Sequence, residues 1–415
     1  MINAKSTVNG VAVIAALLSV LAEGSPIGKS DEGCSILING GLAEPQPLIL
    51  RPGFEGGYVI PEETGSGSVT LAVGESLRLV CLGNSFDLET SEPVEDANVT
   101  CVGGTTFTFE GLGITEEFEN IGCLSYPTHT ARRTGVACPN GEVCEIGFDL
   151  GDGDFQRLIT LCHDDVDQNT ILAHAKVPAV IDAAQTSFPR PGFVKGDFYV
   201  GVSMANIYTR VNQRATLAGI IGSEELALEY LPASGTYYWA KGHLVAKTDL
   251  IYGAHQRSTF YYLNTVPMWQ NINAGNWGIV EANLKNLATN RDVDLDVWTG
   301  STGVLTLADV NGDQQEIHLY VDENNNRAVP VPKLLFKVVW EESSGLGVAF
   351  VTVNNPYLEE LDDEHVICTD VCDQVSYLTW NPTRSDRGLS YCCEVDDFRK
   401  AFPDIPEFTT TGILA

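Results

Sequence analysis

Tyr237-Tyr238-Trp239-Ala240-Lys241-Gly242-His243, then Asn264, then Asn273-Ala274-Gly275-Asn276-Trp277-Gly278-Ile279-Val280-Glu281 sets the architecture of this chain. The first run is aromatic and reads as a strand. Thr259 to Leu263 reads as its strand partner, again rich in aromatics. From Asn276 to Ala288 the apolar positions Trp277, Val280, Leu284, Leu287 and Ala288 recur at helical spacing, which predicts a helix with one buried side. Two strands and a helix thus arrive in succession and carry a cation, a histidine, amides and a carboxylate.

Outward from this centre the chain changes character twice. Residues 1–24 hold Lys5, an apolar run from Val11 to Ala22 and small residues around Glu23, the pattern of a secretory signal peptide. That run is too short to span a bilayer, so no membrane association is expected once the peptide is removed. Residues 25–165 are turn-rich and strand-like, and they read as a small disulfide-rich β domain. Within them, Gly74 to Cys81 resembles an immunoglobulin-type strand, although any sandwich strand near a cystine reads alike.

Beyond residue 165, Phe188-Pro189-Arg190-Pro191-Gly192 is a breaker cluster, and Phe198 to Val202 looks like a strand. Helical spacing runs from Asn206 to Tyr230 and breaks at Gly222-Ser223, where Ser223 is suited to cap a second helix. Strands are expected at Leu295–Trp298, Leu305–Leu307, Ile317–Val321, Leu334–Trp340 and Val348–Val353. The fold class is therefore α+β. Residues 166–355 form the main domain around an antiparallel sheet, and residues 356–415 form a cysteine-containing extension packed on it.

Eleven cysteines agree with export into an oxidising compartment. Seven lie between Cys34 and Cys162 and four between Cys368 and Cys393, so the central segment must hold itself by its own core. One cysteine is left over, expected in the early group, and Cys34 is a candidate for a free thiol or a longer-range partner. Zinc binding by the late four is disfavoured against disulfides in a secreted chain. Asn98-Val99-Thr100 is a glycosylation acceptor.

The net charge of −31 argues at first against a polyanionic ligand. Between Asn206 and Arg291, however, seven Lys and Arg face five Asp and Glu. Charges farther apart than about 8 Å are largely screened, so a basic patch can work on an acidic body.

Cleaving a phosphodiester needs an activated water, a counter-charge for the developing negative charge, and help for the leaving oxygen. His243 is placed to act as the base, Lys241 offers the charge, and Gly242 would admit a close substrate backbone. Asn273 and Glu281 are eight residues apart, about 12 Å along an ideal helix, too far for both to bind one ion directly. Asn273 is thus expected to reach the ion from a loop and Glu281 to act through water. Magnesium suits such a site because it takes one or two protein oxygens and keeps several waters. Two apparent sites are set aside. Asp309 to Asp313 lacks the glycine and final acid of a calcium loop, and Asp149 to Asp154 reads as a turn between strands.

Lys241-Gly242-His243, Asn264 with Pro267, and Asn273-x-x-x-Trp277-x-x-x-Glu281 resemble the signature of the DNA/RNA non-specific endonuclease family, the ββα-metal nucleases. The resemblance spans roughly residues 200–353. It implies His243 as general base, Asn273 as the metal ligand and Glu281 as the carboxylate that holds the ion's waters. It implies Arg210, Lys241 and Lys285 as contacts to substrate, with Arg210, Lys241 and Glu281 counted in the catalytic set, and Asn264 and Trp277 as support. Ala240-Lys241 stands where the family often has Asp-Arg, and Met268 where it often has Gln. The first departure keeps the charge but loses arginine's bidentate fork. The Ala-Lys-Gly-His form and the cysteine-rich flanks resemble secreted arthropod duplex-specific nucleases and double-stranded ribonucleases.

The expectation is a secreted Mg2+-dependent endonuclease, with Mn2+ as a substitute ion, acting on DNA and/or double-stranded RNA and leaving 5′-phosphate ends. The alternative is a catalytically weak nucleic-acid-binding or immune-recognition protein on the same fold. His129, His163, His174, His255, His318 and His365 read as structural.

Overall fold

Strands that alternate side chains between two faces can carry a helix on each, and this chain uses both. The computed structural model describes residues 33–415, so the expected leader lies outside the described residues. A nine-stranded sheet runs in the order Ser390–Cys393, Leu346–Val353, Pro332–Glu341, Leu295–Val304, Asn169–Val177, Phe155–Asp164, Gly141–Asp149 and Thr130–Cys138, with Gly412–Ile413 beside Leu346–Val353. Every pairing along that path is antiparallel, and only the Gly412–Ile413 strand is parallel to its neighbour.

Register assigns the faces. Val297 lies opposite Val339, which lies opposite Val348. These three pack with Val280, Leu284, Leu287 and Ala288 of the helix Gly278–Arg291. The neighbouring residues Trp298, Val338 and Ala349 face the other way and pack with Phe398 and Phe402 of the C-terminal region. Each buried Val or Leu on the helix contributes about 1.5 to 3 kcal/mol relative to exposure, so this stripe holds the helix to the sheet.

The helical stretch after Asn206 resolves into helices Arg210–Ile221 and Glu224–Tyr230, split by Gly222 at φ 74°. The Ser223 side chain accepts from the Leu226 amide at 3.1 Å and caps the second helix as expected.

Several local expectations are corrected. The partner of Trp239–His243 is Thr265–Trp269, not Thr259–Leu263. Asn264 explains the shift: its buried side chain donates to Thr259 O (3.0 Å) and Val245 O (2.9 Å), which closes a turn just where a strand was expected. Phe198 to Val202 forms no strand. The helix expected from Asn276 starts regularly at Gly278, because Asn273–Trp277 takes one wider π-helical turn.

The first five-stranded sheet orders Leu48–Leu50, Ser76–Val80, Asp96–Gly103, Thr106–Phe109 and Thr115–Glu117. Cys34–Cys101 and Cys81–Cys123 cross-link this module, and Cys138–Cys162 staples the main sheet. Cys34 is therefore paired, and the free thiol is Cys144, buried in the strand Gly141–Asp149 and pushed up to about 12 by that burial. Cys368–Cys393 and Cys372–Cys392 bind adjacent cysteines to different partners. The boundary expected at residue 165 falls in the turn between Phe155–Asp164 and Asn169–Val177, which pair with each other. The main sheet is continuous across it, so strand pairing separates the first module near residue 128 instead.

Candidate active site

The hairpin and the helix share one face of the main sheet. In the strand Trp239–His243 the pleat puts Trp239, Lys241 and His243 on one side. Trp239 is buried against Trp269 at 4.9 Å between centroids and anchors the strand, while Lys241 and His243 remain part-exposed. Gly242 points the other way, and a Cβ there would come within 2.7 Å of Met268 Cβ. The glycine is thus required by Met268 packing beneath the strand.

His243 is walled by Phe260 (5.0 Å) and Phe193 (5.3 Å between centroids). Among the described residues its Nε2 has no hydrogen-bond partner, and the atom is buried although part of the residue remains exposed. Burial, and secondarily the charge of Arg190, pushes its pKa down to about 3. The imidazole is neutral at physiological pH and keeps a lone pair for a proton. The Lys241 ammonium sits over the same Phe193 ring at 5.2 Å and over Tyr208 and Tyr262 at 5.4 and 5.9 Å. Burial lowers its pKa.

Asn264 braces the chain immediately after the histidine, since its Oδ1 accepts from Val245 N at 3.0 Å while its backbone carbonyl accepts from Leu244 N at 3.0 Å. Behind Leu244, the buried Lys337 ammonium donates to Leu244 O (3.2 Å) and Thr299 Oγ1 (2.9 Å) and lies 4.9 Å from the Trp277 ring. Trp277 is therefore core, closing the base of the site.

Glu281 lies in the first turn of the helix, near Asp249, Lys337, Lys285 and Arg190. Burial raises its pKa, opposed first by Lys337 and reinforced by Asp249, and no hydrogen bond contributes. Lys337, Lys285 and Arg190 support its charge against burial and Asp249. Asn273 opens the π-helical turn just before the helix and is part-exposed, so the ligand expected from a folded-back loop stands instead on a widened helical turn. Asn271 Oδ1 nearby in sequence is buried without a partner. The Asn273 amide and the Glu281 carboxylate offer oxygen donors of the kind a hard divalent cation takes. Lys285, one turn beyond Glu281, donates to Thr248 Oγ1 and borders a 430 Å³ cleft with Lys247, Thr186 and Ser187.

Arg210 packs beside the start of the same strand. Its guanidinium lies 4.0 Å over Tyr238 and donates to Gly235 O. Tyr238 is five residues from His243, about 17 Å along the strand. Arg190 is a further cation near the histidine: its guanidinium lies 5.9 Å from the Phe260 ring that walls His243, and its charge adds to burial in lowering the His243 pKa. Its only sequence signal was the Pro189-Arg190-Pro191 context, which reads as a breaker.

A hairpin bearing a histidine and a lysine, joined to a helix bearing an amide and a carboxylate on one antiparallel sheet, is the architecture of a ββα nuclease. The sequence profile of the DNA/RNA non-specific endonuclease family matches residues 139–398, and this chain belongs to that family. It is similar to a salivary endonuclease of Lutzomyia longipalpis, 27% identical over 393 residues that cover 93% of this chain and 88% of the relative. Salivary protein Tsal2A of Glossina morsitans morsitans is 24% identical, covering 90% and 92% of the two chains. The mitochondrial nuclease EXOG of Xenopus laevis is 30% identical over 173 residues, covering 39% of this chain and 46% of the relative. The chain is thus a nuclease of a metal-dependent family with a nucleic acid as substrate.

Proposed function

We propose that this protein is a secreted, magnesium-dependent endonuclease in which His243 removes the proton from the attacking water, with Mn2+ able to replace Mg2+. The observation that carries this reading is the neutral His243, its Nε2 unpartnered among the described residues, on the strand face it shares with Lys241. A neutral imidazole has the free lone pair that a general base needs once a water reaches it. Asn273 and Glu281 would hold the ion, Asn273 directly and Glu281 through water. When bound, the ion supplies positive charge to the non-bridging phosphate oxygens and to the departing 3′ oxygen.

The chain's own cations do the rest. Lys241 and Arg190 flank the histidine and would bind the scissile phosphate, with Arg190 supplying the planar donor that Lys241 lacks. Lys285 would bind the strand along the cleft it shares with Lys247. Cleavage on the 3′-oxygen side leaves a 5′ phosphate. Preference for duplexes is supported by the resemblance to duplex-specific nucleases, and secretion by the salivary relatives and the five disulfides.

The test is incubation of the full chain with plasmid DNA and with double- and single-stranded RNA, with magnesium and with chelator. Degradation that stops on chelation and resumes with magnesium is expected. Intact nucleic acids at saturating magnesium would sink the enzyme reading in favour of a binding protein.

A further inference from the structure

We infer that the N-terminal β module, residues 33–128, is a positioning device for the active site: it grips residues 183–188 and thereby fixes Arg190 and Phe193 beside His243. This rests on the reading of Arg190 as a phosphate contact.

The grip is made by side chains of the module that read the backbone of the segment. Asn39 Nδ2 donates to Ala183 O and Ala184 O at 3.2 Å each, and its Oδ1 accepts from Thr186 N at 3.0 Å. The buried Gln46 donates to Gln185 Oε1 at 2.8 Å and accepts from Ala254 N at 3.1 Å. Tyr126 packs edge-on against Phe188 at 5.5 Å and carries the Arg257 guanidinium on its face at 4.2 Å.

From that grip to the site is a short and stiff path. Ser187 adopts φ 58°, a conformation rare for a residue with a side chain, so it requires its neighbours to be held. Phe188 fills the space that a side chain on Gly253 would need, a Cβ there falling 2.1 Å from its ring, and its carbonyl accepts from Lys247 Nζ. Pro189 and Pro191 then restrict φ on both sides of Arg190. At the far end Val194 is tied to Phe260 O and to Tyr262 N at 2.8 and 3.0 Å. Between two fixed ends, the aim of Arg190 and the wall formed by Phe193 depend on where the module sets the first end. A displacement of about 1 Å at such a group can reduce turnover by roughly a hundredfold.

The experiment is a double-mutant cycle on the full chain with Asn39→Ala and Arg190→Ala, read as kcat/KM on a duplex substrate at saturating magnesium. Amide hydrogen exchange across residues 183–194 is measured alongside. Asn39→Ala is expected to lower kcat/KM about tenfold or more alone, to add nothing to Arg190→Ala, and to raise exchange in 183–194 without changing 278–291. Val99→Ala, buried in the module away from the segment, controls for lost stability and should leave kcat/KM unchanged at temperatures where it stays folded. Effects of Asn39→Ala and Arg190→Ala that multiply, equal losses in the folded control, or unchanged exchange in 183–194 would overturn the proposal. If Arg190→Ala itself retains full activity, the phosphate reading of Arg190 fails, and exchange alone then decides whether the module holds the segment.

Discussion

The active site is gripped from both ends of the chain, and the two grips differ in their exposure to water. At the N-terminal grip the exposed Asn39 holds the segment leading to Arg190. At the C-terminal grip the fully buried Asn276, inside the π-helical turn that begins with Asn273, donates to Asn381 O and Gly388 O at 2.8 and 2.7 Å and accepts from Asn381 N at 3.0 Å. A Cβ on Gly275 would fall 2.8 Å from Arg387 O, so that turn lies flush on the extension. Two disulfides cross-link the extension to the edge strand Ser390–Cys393. A buried amide with all its bonds made is costly to disturb, whereas water can replace an exposed one. The turn that begins with Asn273 is thus held by a buried amide, whereas the segment leading to Arg190 is held by an exposed amide, Asn39, together with the buried Gln46.

The comparison matters only if both grips serve one reaction, and the largest expected effect tests that. His243→Ala should lower kcat by about 10² to 10⁴ while leaving the melting temperature near wild type. A fully active His243→Ala enzyme would remove the base from the site. Next, Asn276→Ala should raise the magnesium concentration for half-maximal activity by roughly ten- to a hundredfold and lower the melting temperature. An unchanged metal dependence would show that the C-terminal grip does not govern the ion.

Acid should separate the grips. His255, packed 4.1 Å from Tyr58 of the N-terminal module, has its pKa lowered to about 3 by burial. The folded value is below the unfolded one of about 6.5, so the folded state takes up its proton later. Stability is therefore complete above about pH 6.5 and lost as pH falls toward 3, by about 2 kcal/mol at pH 5. His129, at the same junction against Tyr261, is lowered to about 4 in the same sense. Asn276, Asn381, Gly388 and Arg387 include no such group. His255→Phe should shrink the difference in melting temperature between pH 7.5 and pH 5, and an undiminished difference would clear the junction of this role. The smallest effect is expected at Arg210, held against Tyr238: Arg210→Ala should cost less kcat/KM than the roughly ten- to hundredfold expected for Arg190→Ala. The reverse order would restore Arg210 to the phosphate.

Much of the centre was legible because its signals are local. The spacing Asn273, Trp277, Glu281 is a helix face, and the alternation of Trp239, Lys241 and His243 is a strand face. Gly222-Ser223 breaks and caps a helix by backbone chemistry alone. The strand partner was misread because aromatic content at Thr259 to Leu263 outweighed the turn-forming side chain of Asn264. Which cysteine stays free is not legible in the sequence, because pairing depends on which strands meet. Arg190 went unnoticed because no spacing rule links it to His243 across some fifty residues.

The sequence by itself determined the chemistry and its family, since the residue types and their short-range spacing are properties of a strand, a turn and a helix. Only the tertiary structure decided that Arg190 comes near the Phe260 ring that walls His243, that Met268 makes Gly242 necessary, and that segments from both ends of the chain pack around the site. Those outcomes depend on contacts between distant segments, which the packing of two faces of one sheet brings together and which no local pattern encodes.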